Sequence, residues 1–247
     1  MGVNKVVCND QVIMDITSST VTENTLLEGE IAFNASGDKI TGKYAVKEDT
    51  FATWVSDPKN NPLIIPDGVV TVGADVFKGS WGVLSINFPD SLESISFRAF
   101  QDCTKLVGIL DLKNVTTLGE KAFSGCNAVT GLSMNAMSDI GVQAFSYMTG
   151  LTTVTLPGTT KAVRSGAFKN CTNLTTVTFE QGDKTNPTGT MAVDIFVTCP
   201  ALTDIYVYWP STTVINAPWG AQEGVKIHYT DKIMQVQADG TLAEVAE

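Results

Sequence analysis

Histidine and positive charge are scarce in this 247-residue sequence. Its 16 Lys and Arg face 26 Asp and Glu, so the formal net charge is −10 at pH 7. Nucleic acids and anionic lipid surfaces both attract clustered Lys and Arg, so we expect neither as a partner. The one histidine, His228, is expected to be structural, because a Ser or Cys nucleophile needs a base placed beside it.

Long apolar runs are also missing. No stretch approaches the ~20 apolar residues of a membrane span, and the N-terminus lacks the apolar segment of a secretory signal. We therefore expect a chain that is made in a cytoplasm, is not exported by the usual signal and does not insert into a membrane.

Motifs for metals and cofactors are absent as well. The five Cys include no CxxC pair and no Cys/His cluster, and there is no Walker A motif, no GxGxxG after a strand and no EF-hand loop. We predict no metal, no cofactor and no catalytic residue. The remote enzymatic alternative, a glycan hydrolase, would use a pair of carboxylates drawn from Asp67, Asp90 and Asp111, which fall at turns.

What the sequence does contain is a recurring phenylalanine. Successive copies are 23, 23, 22, 23 and 28 residues apart. A fixed period of ~20–30 residues is the signature of a solenoid, in which each repeat stacks on its neighbours. The copies are Phe77, Phe100, Phe123, Phe145, Phe168 and Phe196.

Two apolar patterns accompany each phenylalanine. Each repeat opens with an alternation such as Leu84, Ile86 and Phe88, which predicts a short strand with one buried face. No stretch is long enough for a full helix, so we predict a mainly β, right-handed solenoid of about six to seven short-strand repeats. A second short strand is predicted at the apolar residues that lie five positions before the phenylalanines, namely Val72, Ile95, Leu118, Ile140 and Val163.

Four cysteines share one position of the repeat, three residues after the phenylalanine. Because Met148 and Ser80 occupy this position in other repeats, the pattern favours core packing over a metal or redox ladder. The four are Cys103, Cys126, Cys171 and Cys199.

The complete repeat, with Ala-Phe followed by Cys and Leu at fixed offsets, resembles the BspA-like class of leucine-rich repeats. The resemblance covers about Leu63 to Tyr229. It implies a surface adhesin or interaction module rather than an enzyme, although the fold alone does not define a partner.

Residues 1–45 have a different pattern. It predicts two strands around Asn9-Asp10, a helix cap at Thr22 and a hairpin that turns at residues 35–38. The runs Asp15-Ile16-Thr17 and Ile40-Thr41-Gly42, with those between them, resemble the N-terminal module of tail and fibre proteins of phages that infect Gram-positive bacteria. The resemblance implies that residues 1–45 dock to other virion proteins and that the chain forms a homo-oligomer, often a trimer in such fibres.

The remaining segments are predicted to close the solenoid. Residues 46–62 are interpreted as a linker and cap, with Trp54 over the first coil, and residues 63–229 as the solenoid itself. Residues near Asn186-Pro187 form an insertion, and Trp219 lies 23 residues past Phe196, as if replacing a last phenylalanine. Residues 230–247 are interpreted as a C-terminal cap or tail with a hairpin that turns at residues 238–240.

The outward residues of the first strand ladder form the candidate binding surface. Tyr and Trp are frequent at binding hot spots, whereas Thr and Tyr also favour exposed strands without any binding role. Trp81 is a separate aromatic candidate. The candidate residues are Trp81, Thr153, Thr155, Thr176, Thr178, Tyr206, Tyr208 and Trp209.

Together these patterns predict a phage virion structural protein of the tail, baseplate or fibre type. Its N-terminal module would dock to the particle, and its solenoid would present a face to a protein or glycan on the host surface. The alternative is a bacterial BspA-like adhesin or protein-interaction module at the cell surface, which requires an export route.

Overall fold

The structure is a computed structural model that describes residues 62–65, 67–182, 190–214 and 216–246, together with the backbone of four strands nearer the N-terminus. These residues form strands and turns, and none of them is in a helix. The strands are β1 (Lys5–Cys8), β2 (Gln11–Ile16), β3 (Ile31–Phe33), β4 (Lys39–Thr41), β5 (Leu63–Ile64), β6 (Val69–Val72), β7 (Ile86–Asn87), β8 (Ser94–Ile95), β9 (Gly108–Asp111), β10 (Thr117–Leu118), β11 (Val129–Ser133), β12 (Asp139–Ile140), β13 (Thr153–Leu156), β14 (Ala162–Val163), β15 (Thr176–Phe179), β16 (Thr190–Met191), β17 (Asp204–Val207), β18 (Lys226–His228), β19 (Ile233–Val236) and β20 (Leu242–Val245).

The strands stack into two ladders, one for each apolar pattern of the repeat. The ladder before the phenylalanines runs in the order β16-β14-β12-β10-β8-β6, with parallel pairs throughout. The other ladder follows the phenylalanines and consists of β5-β7, β9-β11 and β13-β15-β17-β18, again parallel. This arrangement confirms the mainly β solenoid of short strands.

The recurring phenylalanines form a stack through the centre of the solenoid. Neighbouring rings lie 4.9, 5.1, 6.1, 5.3 and 5.9 Å apart between centroids, and their planes differ by 24° at most. The backbone repeats with the rings: the amide of Phe100 donates to the carbonyl oxygen of Ala122, and the amide of Phe123 donates to that of Ala144, at 2.8 Å each. One coil therefore cannot bury its own ring, and stability comes from contact between coils.

Left-handed backbone on both sides of the phenylalanine makes the turn tight. In the second coil Arg98 and Asp102 have φ angles of 51° and 60°, and the next coil has Lys121 and Gly125 in the same places. Glycine adopts this conformation freely, whereas the other residues pay about 1 kcal/mol or more. The turn recurs because it directs the ring inward.

The cysteine position is part of the core, as its sequence variation predicts. Each thiol donates to the carbonyl oxygen of a phenylalanine in an earlier coil, at 3.1 to 3.2 Å. The thiols thereby add a side-chain hydrogen bond between neighbouring coils, and the thiol itself is paired in the core. The pairs are Cys103 with Phe77, Cys126 with Phe100, Cys171 with Phe145 and Cys199 with Phe168.

Both ends of the solenoid continue into antiparallel strands. At the N-terminal end β2 pairs with β6, and the two predicted hairpins are present as β1-β2 and β3-β4. At the C-terminal end β18 pairs with β19 and β19 with β20, which confirms the hairpin predicted there. Trp219 is buried, and its ring lies 5.2 Å from that of Phe179.

Two sequence-based assignments of buried and exposed residues are wrong. Leu84 is 43% exposed rather than in the core, because β7 is only two residues long and begins after it. Trp209 is half-buried and packs against the core, because the alternation of β17 turns every second residue inward. The predicted cap at Thr22, the covering role of Trp54 and the insertion around Asn186-Pro187 lie outside the described residues.

Candidate binding face

Four parallel strands in register present a flat outward surface near the C-terminal end of the solenoid. Strands β13, β15, β17 and β18 pair so that Thr153, Thr176, Asp204 and Lys226 form one row. The residues between the rows, such as Val154 and Val177, point into the core. We call this surface the threonine–tyrosine face; it consists of that row, a second row of Thr155, Thr178, Tyr206 and His228, and Tyr208 at the end of β17.

The two tyrosines of the face project to solvent. Tyr206 is 44% exposed and Tyr208 is 55% exposed. The two earlier strands carry threonine in the row of Tyr206, so the surface changes from small hydroxyl side chains to large aromatic ones along the stack. Because the register puts Thr178 on one side of Tyr206 and His228 on the other, one face of the tyrosine ring overlooks the threonines.

His228 supports Tyr206 from the C-terminal side. The two rings are stacked at 4.4 Å between centroids, with 15° between their planes. The Nε2 atom of His228 lies 2.7 Å from Oδ1 of Asp204, and this contact links the two rows. The three side chains therefore form one connected group, and Tyr206 is positioned by it.

The pKa of Asp204 depends on His228 and on other neighbouring side chains. Partial burial acts to raise its pKa, but hydrogen bonds with His228 and Thr203 and the nearby charge of Lys226 outweigh that effect. The net result is a pKa below the ordinary value for Asp. Asp204 is thus an ionised carboxylate at neutral pH, and its contact with Nε2 fixes the orientation of the His228 ring.

The threonines beside the face strengthen contact between coils. Thr175 donates its hydroxyl to the carbonyl oxygen of Thr152 at 2.9 Å, and Thr203 donates to that of Thr175 at 3.2 Å. The outward residues of the face are thereby held on a regular, strand-spaced frame. Such a frame suits an extended ligand whose groups repeat along the stack.

The sequence-predicted candidates are brought together only in part. Thr153, Thr155, Thr176, Thr178, Tyr206 and Tyr208 share the face, whereas Trp209 turns inward. Trp81 is 61% exposed but lies in a coil nearer the N-terminus. Sequence reasoning missed Asp204 and Lys226, and it assigned His228 a structural role without placing it on the face. The signal was available, because Lys226 and His228 follow Asp204 and Tyr206 at the spacing of one repeat.

Three of the described cysteine thiols have a raised pKa. Burial raises the pKa of Cys199 to about 11 and raises that of Cys171 further. The pKa of Cys126 is raised by its hydrogen bond with Cys103 and by burial. Thiolate is the nucleophilic and metal-binding form, so these side chains stay as protonated core groups.

The three acids considered for hydrolysis lie near one shallow groove. Asp67, Asp90 and Asp111 line it together with Lys113, whose Nζ atom is 3.1 Å from Oδ1 of Asp90. Over the described part of the chain no group of three or more His, Cys, Asp or Glu is arranged to hold a metal ion. The same residues include no helix that is long and apolar enough to cross a membrane.

Comparison with known proteins identifies the repeat. Residues 70–202 match the model of the BspA type leucine rich repeat region in six copies. The chain therefore belongs to the BspA-type leucine-rich repeat family. No functionally curated protein matches it.

One solved structure shares the fold, and two more distant ones are also similar to parts of this chain. A leucine-rich repeat protein of Treponema pallidum is 28% identical with a TM-score of 0.53, and the match covers 58% of this chain and 70% of that one. The pneumococcal vaccine antigen PcpA is 15% identical with a TM-score of 0.49, over 93% of this chain and 67% of that one. A leucine-rich cell surface protein of Faecalibacterium prausnitzii is 21% identical with a TM-score of 0.31, over 68% of this chain and 59% of that one.

Proposed function

We propose that this chain is a non-enzymatic interaction module of a bacterial surface adhesin, and that it binds its ligand through the threonine–tyrosine face. The observation that carries the proposal is the pair of exposed tyrosines, Tyr206 and Tyr208, at the end of a threonine ladder. Core packing does not require these rings, because both project to solvent and the two preceding strands hold threonine at the position of Tyr206. Membership of the BspA-type family supports the adhesive role.

The chemistry of the face fits a protein strand or a glycan on another cell. Tyrosine offers a large contact area with few rotatable bonds, and its hydroxyl group can bond a polar ligand. The threonine hydroxyls supply further donors and acceptors on the same plane. Asp204 and Lys226 add one charge of each sign, so the face favours a ligand with mixed polarity over a strongly charged one.

The test is binding of fluorescently labelled protein to a panel of intact bacterial and epithelial cells, measured by flow cytometry. In the variant Tyr206→Thr with Tyr208→Thr, the first change introduces the residue that the two preceding strands use, and the second replaces a side chain that is 55% exposed. We therefore expect the fold to persist and binding to fall at least tenfold. Tyr147→Asn is the control, because Tyr147 is 51% exposed at a turn outside the face and its left-handed backbone (φ 59°) suits Asn, as at Asn170 in the next coil. Equal binding by the double variant and the wild type contradicts the proposal.

A second candidate function follows from residues 1–45, whose sequence resembles phage tail and fibre modules. In this proposal the boundaries are 1–45 for the docking module, 46–62 for the linker, 63–229 for the solenoid and 230–247 for the C-terminal cap, and the chain is a virion homo-oligomer. The pairing of β2 with β6 gives such a module a rigid attachment to the solenoid.

The solution mass of the full-length protein distinguishes the two functions. The virion proposal predicts an oligomer, with a trimer expected, that falls to monomer when the chain begins at Asp49. The adhesin proposal predicts a monomer in both cases. A monomeric full-length protein removes the support for the virion assignment.

A further inference from the structure

Exposed apolar side chains cluster on the first three coils of the ladder that also carries the threonine–tyrosine face. Their exposed fractions range from 43% to 72%, and each belongs to a strand or to the turn before it. Soluble monomers rarely expose a contiguous group of large apolar side chains unless the group binds something. We call this group the apolar patch; it consists of Ile64, Trp81, Leu84, Val107 and Ile109.

We propose that the apolar patch is a second docking surface, which takes a segment of another protein that carries apolar side chains followed by Lys or Arg. This site is separate from the threonine–tyrosine face and does not depend on it.

The repeat itself shows that the apolar residues are not there for folding. Seven residues after its phenylalanine, every coil places one exposed side chain at or near the start of the following strand. The first two coils use Leu84 and Val107 at this position, and the amide of Val107 donates to the carbonyl oxygen of Leu84, which makes them neighbours. All later coils use threonine at this position: Thr130, Thr152, Thr175 and Thr203.

The outward face of β9 extends the patch toward the next coil. Ile109 is the most exposed member at 72%, and its side chain lies over Gly131, where an added Cβ atom would meet Ile109 Cγ1 at 3.3 Å. The coil that follows therefore offers no side chain that covers Ile109. Within the described residues the patch stays open to solvent.

Acidic residues stand at the opposite ends of the same strands. Asp67, Asp90 and Asp111 line a groove of about 420 Å³ that also includes Ile64. Lys113 is the one cation among the groove's lining residues, and it pairs with Asp90. Four strand residues separate Val107 from Asp111, which corresponds to about 13 Å along the strand.

The charge pattern selects the occupant. A second copy of this chain carries the same net charge of −10, which opposes self-association. A partner whose cationic groups lie within about 13 Å of its apolar anchors satisfies both halves of the surface. Its cations would be steered by the acids, and its apolar groups would be buried on the patch.

The experiment uses the full-length chain and a random library of 12-residue peptides. Peptides are selected on the immobilised wild type and then screened against the variant Leu84→Thr with Val107→Thr. This variant introduces the threonine that the later coils carry at this position, so we expect it to fold. Circular dichroism checks that the fold is retained. The proposal expects peptides with at least two apolar residues and a net positive charge, whose Kd rises at least tenfold on the double variant.

Two further variants separate the parts of the surface. Asp111→Asn should weaken the salt dependence of peptide binding, whereas Tyr206→Thr should leave it unchanged, since Tyr206 belongs to the other face. Peptides that bind both proteins equally, or that carry net negative charge, overturn the proposal. A wild-type dimer in sedimentation that becomes monomeric in the double variant also overturns it, because a second copy would then be the occupant.

Discussion

The phenylalanine stack makes a quantitative prediction at Phe123. This ring is fully buried between Phe100 at 5.1 Å and Phe145 at 6.1 Å, in the middle of the six. Phe123→Ala removes the ring and leaves a cavity between two coils, which costs about 3–5 kcal/mol in a packed core. Phe123→Leu keeps most of the buried volume but loses two ring pairs, at about 0.5–1.5 kcal/mol each, so its cost is about 1–3 kcal/mol.

The location of the cavity also predicts the shape of the unfolding curve. In a stack that interacts only through nearest neighbours, a weak central interface lets the two halves unfold separately. We therefore expect urea unfolding of Phe123→Ala, followed by circular dichroism, to be broader than that of the wild type or to divide into two transitions.

The surface variant Arg164→Ala provides the comparison. Its ion pair with Asp139, at 2.6 Å, is exposed, so its loss costs about 0.2–1 kcal/mol. A cost for Phe123→Ala no greater than that of Arg164→Ala would refute the reasoning that the rings hold the coils together.

Other features give predictions that are as direct. Iodoacetamide at pH 8 should leave Cys199 unlabelled in the native protein and should label it in urea, as measured by peptide mass mapping. The reason is that a pKa of about 11 leaves only about one Cys199 thiol in a thousand ionised at this pH. Asp204→Asn should lower the free energy of unfolding by less than about 1 kcal/mol at pH 7, since the group is partly exposed. A lowered pKa in the folded state stabilises fully above the unfolded value of about 3.9, so in denaturation series the difference between the two proteins should shrink below that pH and vanish only below the lower folded-state pKa of Asp204. Gly141→Ala should destabilise by more than 1 kcal/mol, about the size of an overpacked core, because the new Cβ atom would lie 2.5 Å from the carbonyl oxygen of Leu118; a neutral result in thermal unfolding would contradict that close approach.

The solenoid was predictable because its signal repeats. A single Ala-Phe dipeptide carries little information, but six copies at one spacing specify stacking, and the position of Cys103 in the repeat places it in the core. The structure adds what periodicity does not contain, namely that the Cys103 thiol donates to the carbonyl oxygen of Phe77 in the preceding coil.

The outward surface was harder to predict because alternation is ambiguous at strand ends. Leu84 continues the apolar pattern of Ile86, yet it precedes the two-residue strand and is exposed. Trp209 is next to Tyr208 in the sequence and is aromatic, which suggests an exposed side chain. The alternation that begins at the buried Ile205 instead directs Trp209 inward.

The candidate site shows the same limit of local reasoning. The sequence shows His228 only as a single histidine in an apolar strand. Its structural role depends on contacts with Asp204 and Tyr206 in the neighbouring coil. Aligning residues by the repeat, rather than inspecting each strand alone, identifies such cross-coil groups.

Hydroxyl-radical footprinting on the cells that bind the labelled protein tests the central claim most directly. Oxidation of tyrosine side chains is measured by mass spectrometry, with and without the cells. The proposed binding face predicts protection of Tyr206 and Tyr208 and unchanged oxidation of Tyr147. Protection confined to Tyr147, or equal oxidation of all three with and without cells, would contradict it.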